Sequence, residues 1–362
     1  MDICEHILKW IWPLAFLVAI LISGSIAYYW AKGRFISQEK SESLFDGMFM
    51  LFLRLTVASA VAYGVILLML FILNSSIPSV SSMGAVGDFV GGVIGTLVTC
   101  MGAVYIVKTY IRQQEQTALQ TFEKNCTTML DFHKENVKVI EYKKGDDTLK
   151  GRNAFPEYVG VLKAIFSEVE KAIATIVNAD EEMYARWKDK NEQMKLAHEL
   201  SYGYFFYSVE DYILDTKEDD TMKYLCEAVR TEVDKNMTEN KTVQAHIQLG
   251  HYYRHLYNMI KYIDEVEHIG SKHKENYSQI IRALLSDYEQ VLLYYNSMSQ
   301  LGKPWNQSLG IEDKEKMCFM AKYRLLKNCP KAISFFGIFP KDTYKVEIAE
   351  YSKEGERFFD YI

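Results

Sequence analysis

Charge is scarce in the first 111 of the 362 residues. This part has six basic and six acidic side chains, so the whole net charge of −6 lies in the remaining residues. Neither part is strongly basic. Binding along a nucleic-acid backbone needs clustered Lys and Arg, so we expect no non-specific nucleic-acid binding.

Proline and paired cysteine motifs are also scarce. The six prolines lie at 13, 78, 156, 304, 330 and 340, which leaves residues 157–303 open to helices. The six cysteines form no CxxC pair and have no Cys/His ligand spacing. Reduced, packed cysteines are favoured over a zinc site, and we expect no metal and no cofactor.

Three uncharged apolar runs lie in the charge-poor part, at about 10–31, 55–73 and 89–107. Each is close to the roughly 20 residues that a helix needs to cross a bilayer. A cleaved signal peptide is the alternative for the first run, but Asp2 and Glu5 precede it with only Lys9 as a basic residue, and no A-x-A site follows. We therefore predict a membrane domain at 1–111 with three spans.

Glycines recur in the third run. Gly87, Gly91 and Gly95 follow one another at four-residue steps, and Gly102 lies further along. Small residues on one side of a helix allow close packing of transmembrane helices, so these four are predicted packing positions. A re-entrant segment and a pore lining are the alternatives.

Basic residues in the loops predict the orientation. Lys32, Arg34 and Lys40 lie between the first two runs, the segment 74–88 has no Lys or Arg, and Lys108 and Arg112 follow the third run. The positive-inside rule then predicts the orientation of a multi-pass membrane protein. Its N-terminus would lie outside and its C-terminal domain in the cytoplasm.

The rest of the chain has helical patterns. A Gln- and Glu-rich segment at 112–145 predicts a stalk helix, and Lys143 to Pro156 is predicted to be a loop. A cytoplasmic α-helical domain is predicted at 156–362, where apolar residues from Val159 to Ile176 recur at helical spacing. The predicted fold class is all-α: N-terminal transmembrane helices followed by a cytoplasmic helical bundle.

The run GHYYRHLYNMIKYID at 250–264 combines aromatic, basic and apolar residues. On a helix, one side would be a buried stripe of Leu249, Tyr253, Leu256, Ile260 and Ile263. The other side would be polar, and a second predicted helix at about 277–296 has its own polar strip. The two strips predict a groove for a ligand or partner, formed by His251, Arg254, His255, Asn258, Tyr262, Arg282, Ser286 and Glu289.

Three interpretations of this groove remain. The favoured one is structural: Arg254 and the histidines pair with Glu289 and Asp264 and join helices. Recognition of a ligand or protein comes second. Catalysis comes third, with His251 and Arg254 as weak candidates for a base and an anion clamp. None of the ten arginines is followed by His four to six residues later, as in many helical toxin ribonucleases.

Three motifs in order carry a family resemblance: GDFVGG at 87–92, GHYYRHLYNMIKYID at 250–264, and IRALLS at 281–286 followed by LLYYN at 292–296. Together they resemble the bacterial putative phage abortive-infection proteins (AbiC-like), over most of residues 85–300. After the glycines the family continues with Leu-Asn-Pro, whereas this chain has Ile94-Gly95-Thr96. The motif positions that the resemblance carries over are Gly250, His251, Tyr253, Arg254, Tyr257, Asp264, Arg282, Ser286 and Asn296.

The resemblance implies an anti-phage effector anchored in the bacterial inner membrane. It brings no known set of catalytic residues, so an enzyme is the less favoured interpretation. Its helical domain would sense a phage-linked signal, and its spans would stop growth or disrupt the membrane. The expected partners are the lipid bilayer, further copies of the chain, and a phage-derived or defence-system protein or small-molecule trigger. The alternatives are a membrane-tethered nuclease or nucleotide-processing toxin that uses His251 and Arg254, and a membrane signalling or scaffold protein.

Overall fold

The computed structural model describes residues 80–216, 219–237, 243–306, 318–328 and 336–344, with only the backbone for several residues between 80 and 101. This part of the chain is mostly helical (77%), as the sequence predicts. The helices are α1 (Val80–Lys138), α2 (Phe155–Ala179), α3 (Lys190–Tyr207), α4 (Asp220–Asn236), α5 (His246–Glu265), α6 (Ser271–Leu284), α7 (Asp287–Met298), α8 (Phe319–Lys322) and α9 (Pro340–Thr343). Two strands, β1 (Glu141–Lys144) and β2 (Asp147–Lys150), and three short 3-10 helices (Gly151–Ala154, Ala185–Lys188, Gln300–Asn306) complete the described elements.

The transmembrane part of the predicted fold class requires correction. Within the described ranges, no helix is long and apolar enough to cross a membrane. The third predicted span, 89–107, lies inside α1, where four glycines add little apolar surface. The predicted spans 10–31 and 55–73 lie outside the described residues.

Helix α1 is one continuous helix of 59 residues. The chain divides into two compact units, Met1–Tyr105 and Ile106–Ile362. In the second unit, α1 packs into the core through Leu119, Phe122, Cys126, Leu130 and Val137, which follow one another at helical spacing. The predicted stalk at 112–145 is therefore helical as far as Lys138 and is buried along one side from Leu119 onward.

A β-hairpin stands where the sequence predicts a loop at 143–156. Strands β1 and β2 pair antiparallel, with Lys144 opposite Asp147. Gly145 begins the two-residue turn with φ +61°, which a side chain would disfavour, and such turns match the twist of the two strands. The strands have four residues each and are rich in charge, so an alternating apolar pattern does not reveal them.

Helices α2 and α3 pack against each other in the second unit. The predicted stripe on α2 is confirmed, because Val159, Leu162, Ile165, Val169 and Ile173 are all buried. The 3-10 helix Ala185–Lys188 comes directly before α3. The Asp189 side chain then accepts a hydrogen bond from the Asn191 N–H (2.9 Å) at the start of α3.

The helix predicted at about 277–296 is two helices. The chain turns at Leu285 and Ser286, and Ser286 caps α7 in a capping box: its hydroxyl accepts from the Glu289 N–H (3.4 Å), and the Glu289 carboxylate accepts from the Ser286 N–H (2.8 Å). From Glu289 to Ser297, α7 is buried on all sides. Ser286 and Glu289 therefore serve first as a helix start.

Candidate functional site

Helix α5 contains the whole GHYYRHLYNMIKYID motif and has two distinct faces. The predicted stripe of Leu249, Tyr253, Leu256, Ile260 and Ile263 is buried, which confirms that side of the helix. Tyr252 and Met259 widen it. His251, Arg254 and Asn258 are exposed, while His255 and Tyr262 are half-buried.

The half-buried residues join α5 to α1. The His255 Nε2–H donates to the Met129 carbonyl oxygen (2.8 Å), because a carbonyl can only accept. The Asn125 amide donates to the Tyr262 hydroxyl (3.0 Å). Two members of the predicted groove therefore join helices, as the structural interpretation expects, but their partners lie on α1.

The exposed residues form a second group, the signature strip: His251, Arg254 and Asn258. The Arg254 Nε–H donates to the Gly250 carbonyl oxygen (3.1 Å), and its Nη2 lies 3.4 Å from His251 Nδ1. These contacts stay within α5. They hold the guanidinium beside the imidazole at the surface, where both can reach a partner.

Glu289 is the centre of a polar cluster, the Glu289 cluster, which comprises Glu289, Tyr252, Ser286, Arg152 and His133. Glu289, Tyr252 and His133 are buried, Ser286 is half-buried, and the Arg152 side chain is exposed. The carboxylate has no exposed surface and accepts from the Tyr252 hydroxyl (3.1 Å). Arg152 Nε lies 3.8 Å from Glu289 Oε2. Burial and the neighbouring carboxylate raise the pKa of Tyr252 well above its usual range, so its phenol stays protonated and donates.

His133 lies on α1 against this cluster and is 2% exposed. Its ring centre is 5.1 Å from that of Tyr252 and 6.0 Å from that of His255. Neither ring nitrogen has a hydrogen-bond partner among the described residues. Burial, with smaller effects of His255 and Arg152, lowers the pKa of His133 to about 4, so the ring is neutral near pH 7.

The Glu289 cluster has the residue types of an acid–base site, but its geometry does not favour catalysis in this conformation. A general base must come within hydrogen-bonding distance of a substrate proton, whereas Glu289 is fully buried and already accepts from Tyr252 and Ser286. Arg152 also donates to the Leu284 carbonyl oxygen (2.6 Å). The cluster joins α5, α7 and the 3-10 helix Gly151–Ala154.

Asn296 forms another buried link. Its amide N–H donates to the Tyr202 hydroxyl (2.9 Å), and its carbonyl oxygen accepts from the Trp305 indole N–H (3.0 Å). Burial raises the pKa of Tyr202, so this phenol also stays protonated. A Cβ at Gly302 would overlap the backbone carbonyl group of Asn296. The chain therefore needs glycine where these two backbone segments approach closely.

Asp264 and Arg282 meet at the segment after α8. The Asp264 carboxylate accepts from the Lys322 ammonium and from the Tyr323 hydroxyl (2.6 Å for the latter). Arg282 Nη1 donates to the Tyr323 carbonyl oxygen (3.2 Å). Tyr257 packs edge-on against Trp305, with the ring centres 5.3 Å apart. Asp264 and Arg282 thus hold the segment 318–328 against α5 and α6.

The predicted groove residues thus occupy several separate places. His255 and Tyr262 face α1, Ser286 and Glu289 lie in the Glu289 cluster, Arg282 contacts Tyr323, and the signature strip faces outward. Sequence reasoning missed His133, Arg152 and Tyr252. Only Tyr252 could have been found from the sequence, because it lies in the motif at 250–264. His133 and Arg152 come close to Tyr252 only when the chain folds.

The predicted packing glycines lie on α1. A Cβ added at Gly95 or Gly102 would meet no atom within 4 Å, so their packing role stays a prediction. In the described ranges, no group of three or more His, Cys, Asp or Glu side chains is placed to hold a metal ion.

Comparison with known proteins places part of the chain in context. Residues 244–333 match the family model of the putative phage abortive infection protein. The resemblance is confirmed. No curated protein and no solved structure matches the chain.

The family segment, residues 244–333, includes α5, α6, α7 and α8. It contains two of the three motifs, at 250–264 and 281–296, whereas GDFVGG at 87–92 lies outside it. Over this segment the chain is similar to the putative phage abortive infection proteins. Most of the motif residues carried over from the family resemblance make buried or half-buried contacts. The signature strip is the part of the motif at 250–264 that the fold leaves at the surface.

Proposed function

We propose that this chain is a bacterial abortive-infection effector that recognises a phage-linked protein through the signature strip. The observation that carries the proposal is the contrast within one motif: the family segment buries Tyr252 and Tyr253 but leaves His251, Arg254 and Asn258 exposed. Fold stability explains the buried residues. It gives no reason for the exposed ones, and binding a partner does.

A protein trigger suits this surface better than a small molecule. Small-molecule sites are concave and enclose most of their ligand, whereas the strip lies along the outer face of a helix. Arg254 offers N–H groups that match carboxylate or backbone oxygens on a partner. Recognition of the trigger would then lead to growth arrest of the infected cell.

Phage plating tests the proposal. Expression of the chain should lower the efficiency of phage plating. The double variant His251→Ala, Arg254→Ala should reduce that protection at least tenfold. The matched control is Lys272→Ala, Gln279→Ala, which changes two exposed α6 residues inside the family segment. Full protection by the strip variant, at equal protein level, would contradict this role of the strip.

A nuclease or nucleotide-processing toxin is the second candidate function. It is favoured by the 3.4 Å approach of Arg254 Nη2 to His251 Nδ1 at the surface, since a base beside a cation suits phosphoester chemistry. RNA integrity and nucleotide pools after infection separate the two functions. Loss of RNA with the wild-type chain but not with the strip variant would favour the enzyme.

Location of the protein at the inner membrane is part of the same proposal. Basic residues in the loops support the inner membrane, with the C-terminal domain in the cytoplasm. Fractionation and protease accessibility test the location. Dye uptake and membrane potential after infection test membrane disruption, and arrest with an intact, polarised membrane would rule it out.

A further inference from the structure

Helix α1 has an exposed apolar segment in the second unit. Ile106, Val107, Tyr110 and Ile111 are 68%, 57%, 59% and 50% exposed. Further along the helix, Leu119 and Phe122 begin the stripe that packs into the core. A short helical segment by itself is only marginally stable in water, and burial of apolar side chains supplies most of the stability of helices in proteins.

The exposed segment contains a regular seam, which we define as Val107, Ile111, Gln114, Ala118 and Thr121. The steps between these positions alternate between four and three residues, which is the 3.5-residue period of a coiled coil. The printed sequence continues the same steps backward through Val104, Cys100, Leu97, Val93 and Val90. Such a repeat over more than four heptads is typical of helices that pair with each other.

The seam lies beside the stripe of α1 that packs into the core of its own unit, and it is not part of that stripe. Ala118 and Thr121 each precede a residue of the core stripe, Leu119 and Phe122, by one position. Successive residues on a helix differ in direction by about 100°. All five seam residues are exposed, in agreement with this geometry.

A second copy of the chain is the occupant that suits the seam. The seam has no charged residue, so no oppositely charged partner is selected. Gln114 breaks the apolar series, and its amide can both donate and accept; its Nε2 donates to the Tyr110 hydroxyl (2.8 Å), which leaves the carbonyl oxygen as an acceptor. In a parallel pair each residue meets its own copy, and a polar amide in the seam sets the register.

We propose that Val107, Ile111, Gln114, Ala118 and Thr121 form the seam of a parallel coiled coil between two copies of this chain. The pair buries Val107 and Ile111, which a single chain leaves exposed to water. This inference does not rest on the proposed function, since it concerns α1 outside the family segment.

The oligomeric state of the full chain tests the seam. We expect a concentration-dependent dimer in analytical ultracentrifugation and at least a tenfold weaker association for Ile111→Lys. Ile106→Lys is the matched control, because Ile106 is equally apolar and more exposed but lies outside the seam. A monomeric wild-type chain at micromolar concentration, or equal weakening by both variants, overturns the proposal.

Cysteine cross-linking tests the parallel register. In a Cys100→Ser background, Gln114→Cys should form a covalent dimer on mild oxidation, whereas the adjacent exposed Gln113→Cys should form much less. Equal cross-linking at both positions overturns the register. Vesicles of anionic phospholipid test a different occupant: if Ile111→Lys abolishes vesicle binding and leaves the association unchanged, lipid covers the seam and the proposal fails.

Discussion

The two faces of α5 come from one sequence motif but do different work. On the buried face, Tyr252 donates to Glu289 and Tyr253 packs beside Tyr202, so these residues belong to the core. On the exposed face, His251 and Arg254 contact only each other and Gly250 among the described residues. One motif therefore combines side chains that hold the fold with side chains that stay at the surface, and substitutions on each face separate the two.

Glu289→Ala should give the largest effect on the buried face. It leaves the buried Tyr252 hydroxyl without its acceptor and removes the capping box of α7, so we expect a loss of about 3 kcal/mol in the free energy of unfolding. Denaturant unfolding of the full chain measures it. Glu267→Ala is the control, since that side chain is 86% exposed. Equal midpoints for the two variants would show that the Glu289 cluster does not hold the fold.

Acid should weaken the buried face through His133. The pKa of His133 falls from 6.5 to about 4 on folding, so the unfolded chain takes up the proton first as pH drops. The stability that neutral His133 contributes is fully present above pH 6.5 and is lost as the pH falls toward 4. The loss amounts to about 3 kcal/mol in the free energy of unfolding. His133→Phe should reduce this pH dependence, because Phe has no group to protonate.

The control for the acid experiment is His268→Gln, which changes an imidazole that is 86% exposed. His198 is buried too, and burial lowers its pKa to about 4, so some acid sensitivity should remain in His133→Phe. An unchanged slope of stability against pH in His133→Phe would refute a buried neutral His133.

Asn296→Ala should have the next largest effect. It leaves the Trp305 indole N–H and the Tyr202 hydroxyl without a buried partner, with an expected loss of about 2 kcal/mol. Asn258→Ala makes the same change on the exposed face and should alter stability little. Urea midpoints for the pair give the comparison directly, and equal losses would remove the distinction between the faces.

The double variant His251→Ala, Arg254→Ala should change stability least. Both side chains are exposed and contact only α5, so we expect a change below about 0.5 kcal/mol. Thermal unfolding by circular dichroism checks this value. A large drop would mean that the signature strip supports the fold, and its loss of phage protection would then carry no information about recognition.

Local patterns in the sequence predict much of this fold. Apolar residues at helical spacing correctly indicate α2 and the buried side of α5, because each stripe needs only its own helix. The break at Ser286 was readable as well, since Ser286 and Glu289 stand three residues apart as a capping box requires. The hairpin at 141–150 was not readable, because its short charged strands lack an alternating pattern.

The candidate site could be predicted only in part. His251 and Arg254 are neighbours on one turn of one helix, so the sequence alone places them together. His133 and Arg152 come from positions about 100 or more residues before α5, and no local pattern links them to Tyr252 or Glu289. Burial of His133, Tyr252 and Glu289 is a property of several packed elements together.

The sequence by itself determined the helical class, the two faces of α5 and the family resemblance, because helical period and motif order are local. Only the tertiary structure decided which polar residues of the motif are structural. Glu289 and Asn296 look like surface polar residues in the sequence, but packing of α7 on all sides buries them, and a buried polar group must find a partner. His251 and Arg254 stay at the surface, where their hydrogen bonds run only within α5 among the described residues, although His255 and Tyr262 on the same side of the helix reach α1.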